Sequence, residues 1–505
     1  MNPKKILSAL LAALMLLPVF TACGESAVQE KNDPQGTPAD STTVTPGGET
    51  EPAETEPDVF DGLETTDMDG QTFTFLTSNW PGEAVWTVDD ITAEEYTGAA
   101  VNDAVYDRNL KTEERLKCVI QEHNLPGSGD ANNALQTSVA AADGAYQVWI
   151  ARLHEYLNMA ANGCIMDMKN IEGIDLSRPA WVQNSIKGLS ILNHNFGVCS
   201  EITTIHKEAV SSIVFNKNLA AQYQLDDLYE VVSDGKWTLD YFAGIVEMCS
   251  RDLDGDGEMT DKDQWGFFYQ RDTLDAFLAA GQGMICDKDE NDRPRYIFDN
   301  ERNIDILMNS TVIMYNRAIC YNVMNAPGDF NIWMANKFMQ DEAMFMWVRD
   351  VNIPELRTME SDFGILPNPK FNDAVDNYYS VVNSYTGAAL CVPTIVDERT
   401  EKNLGLFLET MGAASLDTLS KAYYDIMLNG IVARDRESSL MLDIIYANTT
   451  YDAGSIGAYA GICDYIYMAM SYANTFASYS AARKKAVEKD IGKICEKIEK
   501  RFGTD

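Results

Sequence analysis

The run TFTFLT at residues 72–77 sets Phe73 and Phe75 on one face of an extended segment, which is the alternation of a strand with one buried face. Four further segments follow in the order helix, strand, helix, strand: residues 99–116, 118–120, 133–142 and 146–150. This order predicts an open parallel α/β sheet with right-handed crossovers.

Side chains that follow the strands of such a sheet are the first candidates for a binding site, because ligands collect at the carboxyl ends of the strands. Trp80 follows the first strand, and Arg152 and His154 follow the third. We therefore expect these side chains to face a common crevice.

The rest of the chain predicts helices separated by short strands. Strand candidates lie at residues 213–215, 363–366 and 388–392. Near the C-terminus, four apolar residues recur at spacings of four, three and four in a run rich in Lys and Glu: Val487, Ile491, Ile494 and Ile498. This spacing predicts a surface helix that packs one stripe against the body.

Composition limits the classes of partner. The chain has 505 residues, with 39 Lys and Arg against 77 Asp and Glu, and its formal net charge is −38. Such a charge repels the phosphate backbone, so the sequence argues against a nucleic-acid partner, and it also disfavours docking on anionic lipid. Because 46% of the residues are hydrophobic, the chain can bury a sizeable core in two or three globular units.

The N-terminus has the pattern of a secretory signal. Lys4 and Lys5 precede an apolar run from Ile6 to Phe20, and small residues lead to Cys23. A cysteine at this point resembles a bacterial lipobox, in which the thiol is acylated and the chain is cut just before it. We therefore expect a lipoprotein signal peptide over residues 1–22 and lipidation of Cys23. The alternative is an ordinary signal peptide with an incidental cysteine.

The next segment, residues 23–60, favours a tether. From residue 24 to residue 60 it is rich in Pro, Thr and Gly, and it holds nine acidic residues against one lysine. Such a composition buries too little apolar surface to offset the chain entropy. We expect a disordered tether that holds a globular body at the extracellular face of the membrane.

The stretch DLDGDGEMTDKD at residues 252–263 has the layout of a twelve-residue calcium loop. The predicted ligands are the side chains of Asp252, Asp254, Asp256, Thr260 and Asp263 and the carbonyl oxygen of Glu258. Gly257 at position six permits the sharp turn. Asp263 replaces the usual Glu at position twelve, which shortens its reach. We expect a single structural Ca²⁺ site, and the alternative is an acidic, solvated turn.

Signatures of catalysis were sought in the sequence and not found. It has no G-x-S-x-G, no G-x-x-x-x-G-K-[ST], no G-x-G-x-x-G after a strand and no H-E-x-x-H. Apart from Cys23, nine cysteines are scattered without a C-x-x-C, so the sequence predicts small buried residues, with one or two disulfides as an alternative.

Several longer segments together resemble the bacterial extracellular solute-binding proteins, family 1, which are lipoprotein receptors of ABC importers for sugars. Besides the lipobox and the tether, the segments are VNDAVYDRNLKTEER (101–115), IDLSRPAW (174–181), VFNKNLAAQY (214–223), DGKWTLDYF (234–242), the calcium loop with QWGF, MESDFGILPNPK (359–370) and ARDRES (433–438). The resemblance covers nearly all of residues 60–505.

The resemblance implies a class II periplasmic-binding-protein-like fold, in which two α/β lobes joined by a multi-strand hinge close on a ligand. Lobe one would comprise residues 60–205 and 385–430. Lobe two would comprise residues 212–380 and 431–505, including the calcium loop. It also implies a monomer that works with ABC permease subunits.

Sugar recognition requires planar polar groups for the hydroxyls and aromatic rings for the C–H faces. The ligand-binding candidates on this basis are Trp80, Arg152, Glu208, Trp333, Trp347 and Tyr465. Ordinary core packing is the alternative for each aromatic residue, and a solvated charge is the alternative for Glu208.

The function that we expect is capture of a carbohydrate, most simply an oligosaccharide, and its delivery to an import permease without any chemistry. A surface glycan hydrolase or lyase is the alternative from a different class. A cell-surface adhesion or scaffold protein with structural calcium is a third.

Overall fold

The computed structural model describes residues 58–79, 88–395, 397–428, 436–463 and 476–503. The predicted signal peptide, Cys23 and the tether up to residue 57 lie outside the described residues. Among the described residues, no helix is both long enough and apolar enough to cross a lipid bilayer.

The element order alternates strands and helices along most of the chain. The strands are β1 (Gln71–Ser78), β2 (Cys118–Leu125), β3 (Val148–Arg152), β4 (Ser211–Asn216), β5 (Trp265–Tyr269), β6 (Cys286–Lys288), β7 (Pro294–Tyr296), β8 (Cys320–Asn322), β9 (Ala343–Arg349), β10 (Phe363–Leu366), β11 (Ser380–Val381), β12 (Ala388–Cys391) and β13 (Thr449–Thr450). The helices are α1 (Ala100–Leu116), α2 (Ser128–Ala141), α3 (Tyr156–Asn162), α4 (Gln183–Gly188), α5 (Ile205–Glu208), α6 (Lys217–Gln222), α7 (Leu228–Ser233), α8 (Leu239–Cys249), α9 (Thr273–Ala280), α10 (Glu301–Met314), α11 (Phe330–Met339), α12 (Glu398–Asp417), α13 (Leu419–Leu428), α14 (Arg436–Ala447), α15 (Ala453–Gly457) and α16 (Phe476–Phe502).

The first sheet has the strand order β12-β3-β1-β2. β1 runs parallel to β2 and β3, which confirms the predicted parallel α/β unit, and β12 closes the sheet antiparallel to β3. Phe73 and Phe75 are fully buried on one face, where the Phe73 ring stacks on Phe407 of α12 with centroids 4.0 Å apart. The apolar residues at alternate positions of β1 therefore lie on the strand face that α12 covers.

The second sheet has the strand order β10-β4-β9-β5-β8 and mixed directions. β4 is antiparallel to β10 and β9, whereas β5 is parallel to β9 and β8. The predicted strands at residues 213–215 and 363–366 are β4 and β10. α8 packs against β5 and β9, so the centre of this sheet is buried.

The chain passes between the sheets in several places. It leaves the first sheet after β3 and enters the second at β4 by way of α5, and it returns between β10 and β12. Another passage leads from α13, which packs on α1, to α14, which packs on β10. Two of these passages meet where the end of β3, Ala209, the end of β9 and the turn of residues 383–386 come together, a region that we call the junction.

The C-terminal helix α16 follows the predicted stripe, since all four predicted apolar residues on it are buried. It packs on α3 beside the first sheet and on β7. All nine cysteines beyond Cys23 are buried, as predicted for small apolar residues.

Candidate functional site

The end of β3 meets the passage that returns to the first sheet. Arg152, the last residue of β3, is buried, and its Nη1 donates to the carbonyl oxygen of Thr386 over 2.9 Å. His154 Nδ1 lies 3.0 Å from the carbonyl oxygen of Ser384, and its ring centroid lies 4.5 Å from that of Tyr385. The predicted residues Arg152 and His154 therefore lie at the junction and support the turn of residues 383–386.

This turn is connected to the passage through α5. The Asn383 amide donates to the carbonyl oxygen of Ala209 over 3.1 Å. The Asn383 side-chain oxygen accepts from the amides of Tyr385 and Thr386 at 3.0 and 3.2 Å. Because Ala209 directly follows α5, the hydrogen bond joins the two passages at the base of the junction.

β9 brings an aromatic and a cationic side chain to the same place. Trp347 is buried and its Nε1 has no hydrogen-bond partner. The guanidinium carbon of Arg349 lies 5.8 Å from the Trp347 ring centroid, within cation–π range, and Arg349 also pairs with Asp272. Trp347 was a predicted ligand-binding residue, and the structure places it at the junction with Arg152.

Two neighbouring cavities lie at this point. The cavity beside Trp347, Arg349 and the 383–385 turn has about 20 Å³, enough for a water molecule and too little for a sugar ring. It shares lining residues with a cavity of about 340 Å³, which is within the size range of small-molecule sites. The residues common to both are Asp275, Val381 and Ser455.

A second group of side chains at the junction, which we call the acid–tyrosine cluster, consists of Asp90, Glu208, Asp350, Tyr423 and Tyr446. They come from the loop before α1, from α5, from the residue after β9, from α13 and from α14. The charges of Glu208 and Asp350 both act on Tyr423, and Asp350 also acts on Tyr446. The fold therefore brings together residues from both sheets and from two of the passages.

Thr204 connects two of the acids. Its amide and its hydroxyl lie 2.6 and 3.0 Å from Asp90 Oδ2, and the same hydroxyl lies 2.6 Å from Glu208 Oε1. A hydroxyl has one hydrogen to donate. When Glu208 is protonated, it can donate to Thr204, which then donates to Asp90.

Burial shifts the pKa of each acid upward. It raises the pKa of Glu208 to about 8, and the nearby charge of Asp90 adds to the rise. It raises the pKa of Asp90 to about 6, although hydrogen bonds from Thr204 and the charge of Arg108 act in the opposite direction. It raises the pKa of Asp350 to about 7, although the Ser212 hydroxyl, 2.6 Å from Asp350 Oδ1, opposes the shift.

The tyrosine hydroxyls interact within the cluster. The Tyr446 hydroxyl faces Asp350 and opposes the rise of its pKa, and Tyr446 and Tyr423 also interact through their hydroxyls. Asp90 Oδ1 is buried and has no hydrogen-bond partner among the described residues. Leaving such an atom unpaired costs about 1–3 kcal/mol.

Only part of the cluster was predicted. Glu208 was a candidate, whereas Asp90, Asp350 and the two tyrosines were not. Asp350 directly follows β9, so the strand-end argument could have found it. The tyrosines lie on helices far away in the sequence, and no local pattern marks them.

Of the other predicted ligand-binding residues, Trp80 and Tyr465 fall outside the described residues. Trp333 on α11 stacks on Tyr321 of the edge strand β8, with ring centroids 4.9 Å apart, and also contacts Phe268. The structure does not bring Trp333 to the junction, because this aromatic packing holds it at the edge of the second sheet.

The acidic loop between α8 and β5 brings three of the predicted calcium-binding carboxylates close together. One carboxylate oxygen from each of Asp252, Asp254 and Asp256 lies within 4.8 Å of the others, and all three residues are exposed. Asp263 is buried, and its two oxygens accept from the amides of Leu253 and Thr260 at 2.9 and 2.7 Å. Although burial acts in the opposite direction, these hydrogen bonds hold the pKa of Asp263 below its ordinary value.

Comparison with known proteins gives matches among solved structures. No family model matches the sequence, and no curated protein matches it. The chain is similar to the ABC substrate-binding protein Lmo0181 from Listeria monocytogenes in complex with cycloalternan, at 11% identity and a TM-score of 0.50, covering 86% of this chain and 100% of that one. It is similar to an ABC transporter solute-binding protein from Thermotoga lettingae TMO bound with α-D-tagatose, at 14% identity and a TM-score of 0.50, covering 84% and 100%.

A family 1 extracellular solute-binding protein from Bifidobacterium longum subsp. infantis matches at 12% identity and a TM-score of 0.51, covering 84% of this chain and 99% of that one. These likenesses extend over almost the whole length of each neighbour. At such low identity they establish the fold, which is periplasmic-binding-protein-like, and this part of the sequence prediction is confirmed.

Proposed function

From the solute-binding-protein fold that the chain adopts, we propose that it is an extracellular receptor that captures a carbohydrate and delivers it to an ABC import permease. The observation that carries the proposal is the junction itself. It places the buried ring of Trp347, whose Nε1 has no partner among the described residues, and the Arg349 guanidinium beside the turn of residues 383–385 and next to a cavity of about 340 Å³. A cavity of this size with a few polar groups at its edge is the usual form of a small-molecule site.

The chemistry of the junction suits a polyol. Carboxylates accept hydrogen bonds from hydroxyl groups, and phenol hydroxyls and a guanidinium group donate to ring and hydroxyl oxygens. Trp347 offers an indole next to Arg349. The solved neighbours from L. monocytogenes and T. lettingae hold cycloalternan and α-D-tagatose, which supports the carbohydrate class for this chain.

Binding would require the two halves of the body to separate and close again. Lobe one would comprise residues 60–205 and 385–430, and lobe two residues 212–380 and 431–505. The cavity of about 20 Å³ beside Trp347 has no room for a sugar, so contact between a sugar and Trp347 would require an opened form. α16 contacts both α3 and β7, which gives the closed form a contact outside the cleft.

The proposal includes the predicted anchor. Acylation of Cys23 and the acidic tether would hold the receptor at the outer face of the membrane, near its permease, while the body binds ligand as a monomer. Capture and release require no bond to break, so no turnover of the ligand is expected.

We also propose that the loop of residues 252–263 binds Ca²⁺ as a structural ion. Asp252, Asp254 and Asp256 would supply carboxylate oxygens, and Glu258 and Thr260 would add a carbonyl and a hydroxyl oxygen. Both oxygens of Asp263 already accept hydrogen bonds from the loop, so its first role is to close the loop around the site.

The experiment that tests the receptor function is a thermal-shift screen of residues 24–505 against monosaccharides, oligosaccharides, peptides and polyamines. A receptor gains stability by mass action with the ligand class that it binds. A shift with a saccharide, without loss of the saccharide over time, supports the proposal. A shift with peptides alone removes the carbohydrate class, and accumulation of a hydrolysed product replaces the receptor with an enzyme.

A further inference from the structure

The larger of the two cavities at the junction, which we call the side cavity, lies between α9, β11, β13 and α15 and has about 340 Å³. Five apolar side chains from α9, from the segment that follows it and from β11 line it: Leu278, Ala279, Met284, Ile285 and Val381. Because protein interiors are packed as densely as organic crystals, a cavity of this size is most often a place where a ligand binds.

Two polar side chains that line the side cavity bond to each other's partner within the protein. Gln282 donates to Asp376 Oδ1 over 2.9 Å and accepts from Arg302 at 3.0 Å. The Tyr379 hydroxyl donates to the same Asp376 oxygen over 3.1 Å. These hydrogen bonds leave Gln282 and Tyr379 less able to receive the hydroxyl groups of a sugar.

The polar side chains that follow β13 are also engaged. Asp452 Oδ2 accepts from the amide of Ile285 over 2.7 Å, and Asp452 Oδ1 accepts from the amide of Gly454 over 2.8 Å. The Tyr451 hydroxyl interacts with the Cys199 thiol. What the side cavity offers to a ligand is therefore mainly apolar surface.

The side cavity borders the part of the junction where a sugar is proposed to bind. It shares Asp275, Val381 and Ser455 with the small cavity beside Trp347 and Arg349. A ligand that contacts Trp347 can therefore place a second group in the side cavity. Since a polar group without hydrogen-bond partners is costly to bury, this second group should be apolar.

We infer that the captured saccharide is a glycoside with an apolar aglycone, and that the aglycone occupies the side cavity while the sugar contacts the junction. The inference rests on the proposed function and names the class of saccharide. Burial of the aglycone strengthens binding in proportion to the apolar surface removed from water. Met284 has an unbranched, polarisable side chain, which adapts to the shape of such a group.

Matched glycosides that differ only in the aglycone test the inference. Isothermal titration of residues 24–505 is carried out with the methyl and phenyl glycosides of glucose, galactose, mannose and xylose, as both anomers, and with those of maltose and cellobiose. In each pair that binds, the phenyl glycoside is expected to bind at least about tenfold more tightly than the methyl glycoside. Its heat-capacity change on binding should also be more negative, which marks the burial of apolar surface.

Two variants and a control locate the effect. Ala279→Leu fills part of the side cavity, and Met284→Ala removes part of its apolar wall. Each is expected to reduce the preference for the phenyl glycoside to within about threefold. Ala335→Leu is the matched control and should keep the preference, because Ala335 on α11 is 8% exposed, close to the 7% of Ala279, and lies outside the lining. Ligand-free melting of each variant verifies folding, and one folded variant of the two is sufficient.

Each outcome decides a different point. Equal binding of the phenyl and methyl glycosides, or a preference that survives in every folded cavity variant, overturns the inference and leaves the carbohydrate receptor standing. Failure of all these glycosides to bind overturns the inference when a free saccharide still shifts the melting temperature, and it overturns the proposed function when none does. Phenol that binds as tightly as any phenyl glycoside removes the sugar from the ligand, and the proposed function with it.

Discussion

The hydroxyl oxygen of Thr204 lies 2.6 Å from Glu208 Oε1, a contact that spans α5, since Thr204 directly precedes this helix and Glu208 ends it. Since this hydroxyl also lies 3.0 Å from Asp90 Oδ2, its single hydrogen cannot serve both carboxylates at once. When Glu208 is protonated, its own hydrogen can bond to the Thr204 oxygen and the Thr204 hydrogen can bond to Asp90. This arrangement agrees with the raised pKa of Glu208. Thr204 is therefore the polar link inside the cluster.

Replacement of Thr204 tests this link. Thr204→Val keeps the shape of the side chain but leaves two buried carboxyl groups with one partner fewer, so the free energy of unfolding should fall by about 1–3 kcal/mol. Urea denaturation at neutral pH measures the change. Thr204→Ser keeps the hydroxyl and is expected to lose less than half as much, and equal losses in the two variants would contradict the role of the hydroxyl.

The stability of the ligand-free protein should decrease as the pH rises from about 4.5 to 8. Burial raises the pKa of Glu208 to about 8 and that of Asp350 to about 7, so over this range the native state holds protons that the unfolded chain has released. The charge of Asp90 and the Thr204 hydroxyl face Glu208, and the hydroxyls of Ser212 and Tyr446 face Asp350. The expected decrease is on the order of a few kcal/mol.

Urea denaturation at several pH values measures this dependence. The double variant Glu208→Gln, Asp350→Asn lacks both titrations, and its free energy of unfolding should change less with pH than that of the natural chain. Glu247→Gln serves as the control for loss of one exposed charge. If the double variant and the natural chain follow the same pH profile, the cluster is not the source of the dependence.

The sequence could predict those parts of the fold that local patterns determine. The helix predicted over residues 99–116 is α1, although its buried face includes the polar residues Arg108, Asn109 and Thr112, and the apolar stripe of α16 is read directly from residue spacing. α2 begins at Ser128, five residues before the prediction, after Gly127 in an extended conformation. Because the first turn of that helix is polar, a search for apolar periodicity does not detect where the helix begins.

The site was less predictable for a physical reason. Arg152 could be found because the end of a predicted strand marks it, whereas Trp347 and Trp333 were chosen for their residue type. Trp347 lies at the junction, and Trp333 is held elsewhere by Tyr321. Tyr423 and Tyr446 join Asp350 only through the packing of α13 and α14. Contacts between such distant segments leave no periodic signal in the sequence.

Trp347 should contribute to ligand binding, whereas Trp333 should not. Trp347→Phe removes the indole Nε1, which has no partner within the protein, and part of the aromatic surface. We expect affinity for the bound saccharide to fall by about tenfold, corresponding to roughly 1.4 kcal/mol. Isothermal titration measures it.

Trp333→Phe is the matched control, because Trp333 is a half-buried indole on α11 that packs against Tyr321 and Phe268, away from the junction. Its affinity for the same saccharide should equal that of the natural chain. Equal weakening in both variants would mean that the loss comes from the sheet as a whole and not from contact with the ligand.

Calcium should raise the melting temperature of the body, and removal of calcium by EDTA should lower it, because an ion that binds only the native state stabilises it by mass action. Asp254→Asn removes one of the three clustered carboxylates and should reduce the calcium-dependent shift and the affinity for Tb³⁺, measured by luminescence. Asp261→Asn changes an exposed acid of the same loop that is not a predicted ligand, and it should keep both.

Asp263 separates loop closure from ion binding. Its two oxygens accept from the amides of Leu253 and Thr260, so Asp263→Ala should lower the melting temperature even in EDTA, whereas Asp254→Asn in EDTA should not. If the loop is an acidic turn without an ion, EDTA changes the melting temperature of neither the natural chain nor Asp254→Asn, while the effect of Asp263→Ala persists. The pair of variants thus distinguishes a calcium site from a turn that its own hydrogen bonds hold together.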